Sequence, residues 1–376
     1  MKQFKLILLS LFVFSNYANA QVSAADWYNK GLKLNDSAKH TAAITAYEKA
    51  IALDKNYADA YYRLGWTYNE LQAYDKAVEK LNKAVLLKED YAFALEELGY
   101  AYKKKENYTE ALNYLNKAIA TKPDYGRAYK QLGDVYVALK RETEAITGYE
   151  KAYALDNKDV DACYELGYIC NENEKYDLAL SWLNKAAAIK SSVNTYNEIG
   201  FANYKLLKND DAMAAYKNAL LINPENGTAY KGIGDVYRRN FKPAKITEAI
   251  ENYRKAVQNN PKSSGSYYGL GWCYNETQSY DSAIANLKKA SELDTKMNAA
   301  FTELGYAQYM KGYYTDAINT FNKGLYLDTK ATLPLYYKGL VYIAQKDKTN
   351  ALKMYDDLKP LDNALAGKLL AKINAL

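Results

Sequence analysis

A chain of 376 residues that carries one histidine and three cysteines has little to offer metal or redox chemistry. The lone imidazole, His40, cannot build the usual histidine-based metal sites, and Cys163, Cys170 and Cys273 lack the close-pair spacing of zinc ligands. His40 falls where a turn is expected, exposed and with no evident serine or aspartate partner, so no nucleophilic triad gains support. The odd cysteine count leaves at least one thiol without a disulfide. Cys163 and Cys170 stand about 10 Å apart along a helix axis that rises 1.5 Å per residue. That exceeds the ~7 Å Cα separation a disulfide tolerates, so buried thiols are the expectation. No glycine-rich phosphate loop is present. Charge is mild, at a formal +6, which argues against nucleic-acid binding, since that needs a concentrated basic surface. No apolar run is long enough to span a bilayer. Carboxylates abound, and inventory alone leaves an acid pair open. No stretch outside the pattern described next is long enough for a catalytic domain. Neither cofactor nor metal is expected, and the chain reads as a non-enzyme.

What the chain does contain is a period. Gly31, Gly65, Gly99, Gly133, Gly167, Gly200, Gly234, Gly271, Gly305 and Gly339 recur at intervals of 33 to 37 residues. An alanine follows nine of them by twelve residues, as at Ala43, Ala111 and Ala317; the seventh repeat delays it to Ala249. A period near 34 marks a stacked array of helix pairs. Glycine inside a helix costs about 1 kcal/mol relative to alanine, so ten of them in register need a packing reason. Close crossing of two helices supplies one.

The third repeat reads Leu98, Gly99, Tyr102, Ala111, Leu115, Ala118 and Pro123. On these residues the chain resembles the tetratricopeptide repeat (TPR) family over roughly residues 24–360. The resemblance implies an all-α fold: a right-handed superhelical solenoid of about ten helix-turn-helix repeats, over 24–362, with a C-terminal capping helix at 363–376. In that final segment Leu365, Leu369, Leu370 and Ile373 share a face. A membrane-lying helix with Lys368 and Lys372 outward is the alternative. Two departures stand out. The inter-repeat proline survives only as Pro123, Pro224 and Pro261, and the tenth repeat has Leu358 where a small residue is expected.

A longer period lies beneath the first. YYRLGWTYNE (61–70), CYELGYICNE (163–172) and YYGLGWCYNE (267–276) are one type of first helix. LEELGYAYKK (95–104), YNEIGFANYK (196–205) and FTELGYAQYM (301–310) are a second. YKQLGDVYVA (129–138), YKGIGDVYRR (230–239) and LYYKGLVYIA (335–344) are a third. The order repeats three times, which implies a triplicated block at 58–159, 160–263 and 264–362.

Residues 1–20 form a separate segment. Lys2 and Lys5 precede the apolar run Leu6–Phe14, and Ala18-Asn19-Ala20 offers a small-x-small cleavage site. This is the pattern of a signal peptide, and the chain is similar to exported bacterial TPR proteins. The expectation is an exported protein, periplasmic or secreted, with no membrane span.

The resemblance also implies that the first helix of each pair lines an inner, concave surface. Its inward stripe takes the second, fifth, ninth and twelfth residues of each repeat, a spacing that fits one helix face. The expected partner-binding residues on it are Tyr28, Tyr62, Trp66, Asn69, Tyr100, Lys130, Tyr164, Tyr168, Asn171, Phe201, Tyr204, Lys231, Tyr268, Trp272, Asn275, Tyr306 and Tyr309. With 40 tyrosines against 8 phenylalanines, this stripe combines contact area with hydrogen bonding. Exposed aromatics gathered on one surface mark an interaction site. The competing account is that neighbouring rings cover one another. No repeat pairs lysine with asparagine at the fifth and ninth positions, so the carboxylate clamp of some TPR domains is disfavoured. Lys231, Arg238, Arg239, Lys242 and Lys245 form a local basic cluster beside an insertion at Phe241-Lys242-Pro243. The expected function is a protein–protein interaction scaffold that takes a protein or peptide partner. A glycan is the alternative partner, because Asn69-Glu70, Asn171-Glu172 and Asn275-Glu276 recur beside the rings.

Overall fold

A computed structural model describes residues 22–239 and 243–376. The candidate signal peptide and the centre of the insertion lie outside the described residues, and no side chain is described for residues 243–244. Among the described residues every regular element is a helix, and the helices come in pairs. Repeats one to four are Ala24–Asp36 with His40–Leu53, Ala58–Glu70 with Tyr74–Leu87, Ala92–Lys104 with Tyr108–Thr121, and Gly126–Ala138 with Glu142–Leu155. The fifth has Val160–Glu172 and Tyr176–Ile189. Repeats six to ten are Val193–Lys205 with Asn209–Ile222, Gly227–Arg239 with Pro243–Asn259, Ser264–Glu276 with Tyr280–Leu293, Asn298–Met310 with Tyr314–Leu327, and Thr332–Ala344 with Lys348–Leu358. Asn363–Asn374 closes the chain. The residues divide into two compact units, 1–169 and 170–376, with the division inside the fifth repeat's first helix. In each unit successive helices pack on one another, and a first helix also touches the next first helix.

The glycines do what their spacing implies. A Cβ built on Gly99 would stand 2.5 Å from Leu115 Cγ, and one on Gly133 would stand 2.8 Å from Tyr149 Cε1. Gly65 faces Leu81, Gly200 faces Tyr216, Gly271 faces Leu287 and Gly305 faces Phe321 in the same manner. Each first helix thus gives up a side chain so that a leucine or aromatic from the second can enter the space. These inserted residues are sealed: Leu81, Leu115, Tyr149, Leu287 and Phe321 are all fully buried. The alanine twelve residues after each glycine is buried as well, as at Ala77, Ala111 and Ala283.

The turn inside each hairpin repeats too. Ala38, Gln72, Glu106, Lys140, Glu174, Leu207, Gln278 and Lys346 adopt φ between 54° and 63°, and among the described residues Gly312, at 77°, is the one glycine with a positive φ. The amide of Glu106 bonds the Lys103 carbonyl and that of Asn107 bonds the Tyr102 carbonyl, which satisfies the free carbonyls at the helix end. His40 is the first residue of a helix, half-buried, with Nδ1 2.7 Å from Asn35 Oδ1, and not the exposed turn residue its sequence context suggested. The three cysteines are buried.

The last helix caps the array. Its Ala366, Leu369 and Ile373 are buried in one cluster with Leu335, Ala351, Met354 and Leu358. Leu358 departs from the repeat pattern because it belongs to this terminal cluster. The apolar face is therefore covered by the chain itself, and the membrane-lying alternative loses its surface. Asp362 caps the helix by accepting from the Leu365 amide.

Two substitutions test this packing by thermal unfolding followed by circular dichroism. Gly99→Ala gains helix propensity yet should destabilise by about 1–3 kcal/mol through overpacking. Leu207→Gly, at an exposed left-handed turn position with φ 63°, should stabilise, since that conformation costs a non-glycine residue about 1–2 kcal/mol. A Gly99→Ala protein that melts at or above the wild-type temperature would remove the crossing as the reason for the glycines.

Candidate partner-binding surface

The inner stripe of the first unit is an alternation of rings and ion pairs. Tyr28 packs on Tyr57 with centroids 5.1 Å apart, and Tyr62 packs on Tyr91 at 5.0 Å. The Tyr91 hydroxyl donates to Asp59 Oδ1 at 2.6 Å and so ties the second and third repeats. The Arg63 guanidinium lies 5.4 Å from the Tyr62 ring. Burial, followed by the Glu97 charge, pushes the Tyr62 hydroxyl up to about 12. Tyr100 meets Tyr74 edge-on, and the ammonium groups of Lys103 and Lys104 lie 5.4 and 5.5 Å from its ring. Tyr164 and Tyr168 stack at 6.3 Å. These rings are half covered by one another and half open, with Tyr168 38% exposed.

Polar side chains beneath the rings join successive repeats. Asn69 Nδ2 donates to the Glu97 carbonyl at 3.1 Å and to its Oε2 at 2.8 Å. Glu96 and Glu97 are fully buried and share Arg127, whose Nε is 3.1 Å from Glu96 and whose terminal nitrogen is 2.6 Å from Glu97. Burial and then the Glu97 charge raise the Glu96 carboxyl to about 7, and burial raises Glu97 as well, each against the pull of Arg127. Lys103 reaches Gln131 at 2.5 Å and Asp134 at 2.6 Å, and Lys130 reaches Asp161 at 2.7 Å. The Tyr149 hydroxyl donates to Asp134 at 2.9 Å.

In the second unit Asn171 repeats the first-unit geometry, donating to Glu198 Oε2 at 2.8 Å, and Asn275 does so again with Glu303 at 2.8 Å. Phe201, 37% exposed, meets Tyr176 edge-on at 6.2 Å. The Arg239 guanidinium stacks 3.4 Å from the Tyr204 ring centroid and donates to the Tyr204 carbonyl. Lys231 pairs with Asp235 at 2.6 Å, and Asp235 also accepts from the Tyr253 hydroxyl at 2.6 Å. Arg238 lies over Tyr268 and Trp272, at 5.7 and 5.4 Å. Tyr306 sits between Tyr280 and Tyr337, and Tyr309 beside Tyr314.

The expected contact set is thereby sorted. Tyr28, Tyr62, Trp66, Tyr100, Tyr164, Tyr204, Tyr268, Trp272, Tyr306 and Tyr309 are half-buried, and Tyr168 and Phe201 are exposed. Asn69, Asn171 and Asn275 are a correction: they are 2–4% exposed, and their amides are bonded inside the array. Their physical role is to bond a buried or half-buried glutamate of the next repeat. The carbohydrate alternative leaned on these amides and loses that support. Lys130 and Lys231 are surface residues already engaged by Asp161 and Asp235. Sequence reasoning missed Glu97, Glu198 and Glu303. The available signal was their recurrence at one register in every second-type helix, one repeat after each asparagine. Among the described residues no group of three His, Cys, Asp or Glu side chains could hold a metal ion, and no helix is long and apolar enough to cross a membrane.

Comparison with known proteins agrees with the repeat register. A profile described as TPR repeat matches residues 31–70, and profiles described as tetratricopeptide repeat match 58–91, 96–160, 160–192, 252–285 and 335–359. No curated protein matches the sequence. Among solved structures the chain is similar to YrrB, described as a TPR protein with an unusual peptide-binding site (22% identity, 50% of this chain and 97% of that one, TM-score 0.45). It is also similar to MamA (29% identity, 43% and 94%, TM-score 0.39) and to PilF of Pseudomonas aeruginosa (18% identity, 58% and 96%, TM-score 0.49).

Glu165 supplies a pH test of this surface. Burial first, then Asp134 and Asp161, push its carboxyl from 4.5 to about 7, against Lys130 and Lys103. A carboxyl raised on folding stabilises the fold at low pH and loses that contribution as pH rises through the folded value. Between pH 5 and pH 8 the urea midpoint should therefore fall, and Glu165→Gln should flatten the decline. Equal slopes in the two proteins would show that Glu165 ionises as freely in the fold as outside it.

Proposed function

Because the chain belongs to the tetratricopeptide repeat family, we propose that it is a non-catalytic protein–protein interaction scaffold that seats an extended or helical protein segment on the inner stripe of its first helices. The observation that carries this reading is a contrast between two sets of rings. Second-helix aromatics such as Tyr47, Tyr149, Tyr253 and Phe321 are sealed in the core, where they stabilise the fold. First-helix rings such as Tyr62, Trp66, Tyr268 and Trp272 are held in place by neighbours yet keep part of their surface open. Rings fixed in this way lose little conformational freedom when a partner covers them, and rigid aromatic anchors of this kind are what protein interfaces favour. Triplication offers similar subsites in succession, and several modest contacts along one surface add through effective concentration.

The scaffold acts outside the cytoplasm, in the periplasm or the exterior. Support comes from Lys2, Lys5, the apolar run and Ala18-Asn19-Ala20.

Two experiments follow. Changing Tyr62, Trp66, Tyr268 and Trp272 to alanine should leave the helical circular dichroism intact and lower capture of the partner segment at least tenfold; undiminished capture would overturn the reading. Mass spectrometry of the protein purified from its native host should find Gln21 at the amino terminus, and an intact Met1 in the mature protein would refute export by cleavage.

A further inference from the structure

The three blocks share the order of their first-helix types, so equivalent positions can be compared for charge. In the third-type helix the first and third blocks carry Val137-Ala138 and Ile343-Ala344, whereas the middle block carries Arg238-Arg239. Valine or isoleucine followed by alanine satisfies the fold in two copies, so packing does not demand the arginine pair. The surroundings shift with it. In the first block Lys103 and Lys130 face Asp134, Asp161 and Glu165, two cations against three carboxylates. In the middle block Tyr204 stands where Lys103 does, Lys231 and Arg238 reach Asp235, and Arg239 stacks on Tyr204, so three cations stand beside two carboxylates, Asp235 and Glu303. The third block has Tyr336 and Leu340 where the first has Lys130 and Asp134, and no charge remains at those two positions.

Both guanidinium groups are mounted on rings. Arg239 lies flat on Tyr204, and Arg238 lies over Tyr268 and Trp272 while its Nε donates to the Tyr253 hydroxyl at 3.1 Å. Its terminal nitrogen is 3.7 Å from Asp235, which leaves that carboxylate closer to Lys231 at 2.6 Å. Glu303, which also acts on Arg238, is bonded to Asn275 and held toward its neutral form by burial. A planar fork of N–H donors fixed by stacking suits a carboxylate, which it can grip through two parallel bonds.

Resting on the scaffold reading above, we propose that Arg238, Arg239 and Lys231 form an acid-selective seat in the second unit, which takes glutamate or aspartate side chains of the bound protein segment while Tyr204, Tyr268 and Trp272 contact its apolar or aromatic residues. The seat fixes the polarity and register of the segment, since the equivalent positions of the other two blocks do not offer a cationic excess.

The test uses the full chain and three probes: a random Glu/Tyr copolymer, a Lys/Tyr copolymer and polygalacturonate as an anionic glycan. Wild-type protein should bind the Glu/Tyr copolymer, more weakly as salt rises, and should not bind the Lys/Tyr copolymer. Arg238→Val/Arg239→Ala installs the residues of the first block, so helicity and melting should hold while affinity for the Glu/Tyr copolymer falls at least tenfold. Arg238→Lys/Arg239→Lys keeps the charge but loses the stacked fork, so its affinity should fall between those of the wild type and the Val/Ala variant. Unchanged affinity in the Val/Ala variant, or equal binding of polygalacturonate, overturns the proposal. The two readings fail separately. If the four-residue aromatic variant loses partner capture while the Val/Ala variant binds the copolymer normally, the seat alone is wrong. If capture survives in the aromatic variant while the Val/Ala variant shows its tenfold loss, the scaffold reading alone is wrong.

Discussion

Repeats one to four and six to nine are organised around one steric fact: a leucine or aromatic side chain of the second helix occupies the volume that a first-helix glycine leaves empty. Leu115 against Gly99 and Phe321 against Gly305 are the same joint built with different side chains. The joint sets how closely the two helices of a pair approach, and that approach fixes which side of the first helix is turned away from its partner. Residues at the fifth and ninth positions are thereby left for the stripe.

The glycine and alanine register was legible because close crossing tolerates few residue types and the period repeats ten times. The expectation of a triplicated block rests on the sequence alone, through three recurring first-helix types. The stripe itself could be located but its chemistry could not be graded. Asn69, Asn171 and Asn275 look like surface amides at the twelfth position, yet each turns toward the next repeat and bonds a buried or half-buried glutamate. That partner lies 27 or 28 residues away, beyond any local helix pattern. The left-handed turn residues were hidden by their side chains. Gln72, Glu106 and Leu207 adopt a backbone that favours glycine, and among the described residues only Gly312 uses one. Helix termini on both sides dictate that conformation more strongly than the residue's own preference.

Charge is handled differently in the two units. In the first, buried Glu96 and Glu97 are balanced by Arg127, and Lys103 and Lys130 each bridge to a carboxylate of the next repeat. Breaking one partner of such a buried pair costs more than the pair contributes, so these bonds act as constraints on register rather than as a large source of stability. In the second, Lys231 pairs within its own helix and the arginines lean on rings. Both units also bridge cations to the preceding repeat, as Lys105 does to Asp75 and Lys311 to Asp281.

The end of the array has an implication for how such a chain lengthens. Gly339 of the tenth repeat does not receive a side chain from its own second helix; Leu369 of the terminal helix fills that space, with Leu369 Cδ2 2.7 Å from a built Cβ. The stopper thus imitates the joint it terminates, and it packs on both helices of the last repeat. Copies of a whole block could be inserted by unequal recombination anywhere upstream without disturbing it. A gene built this way can vary its number of subsites while inheriting a single, unchanged terminus.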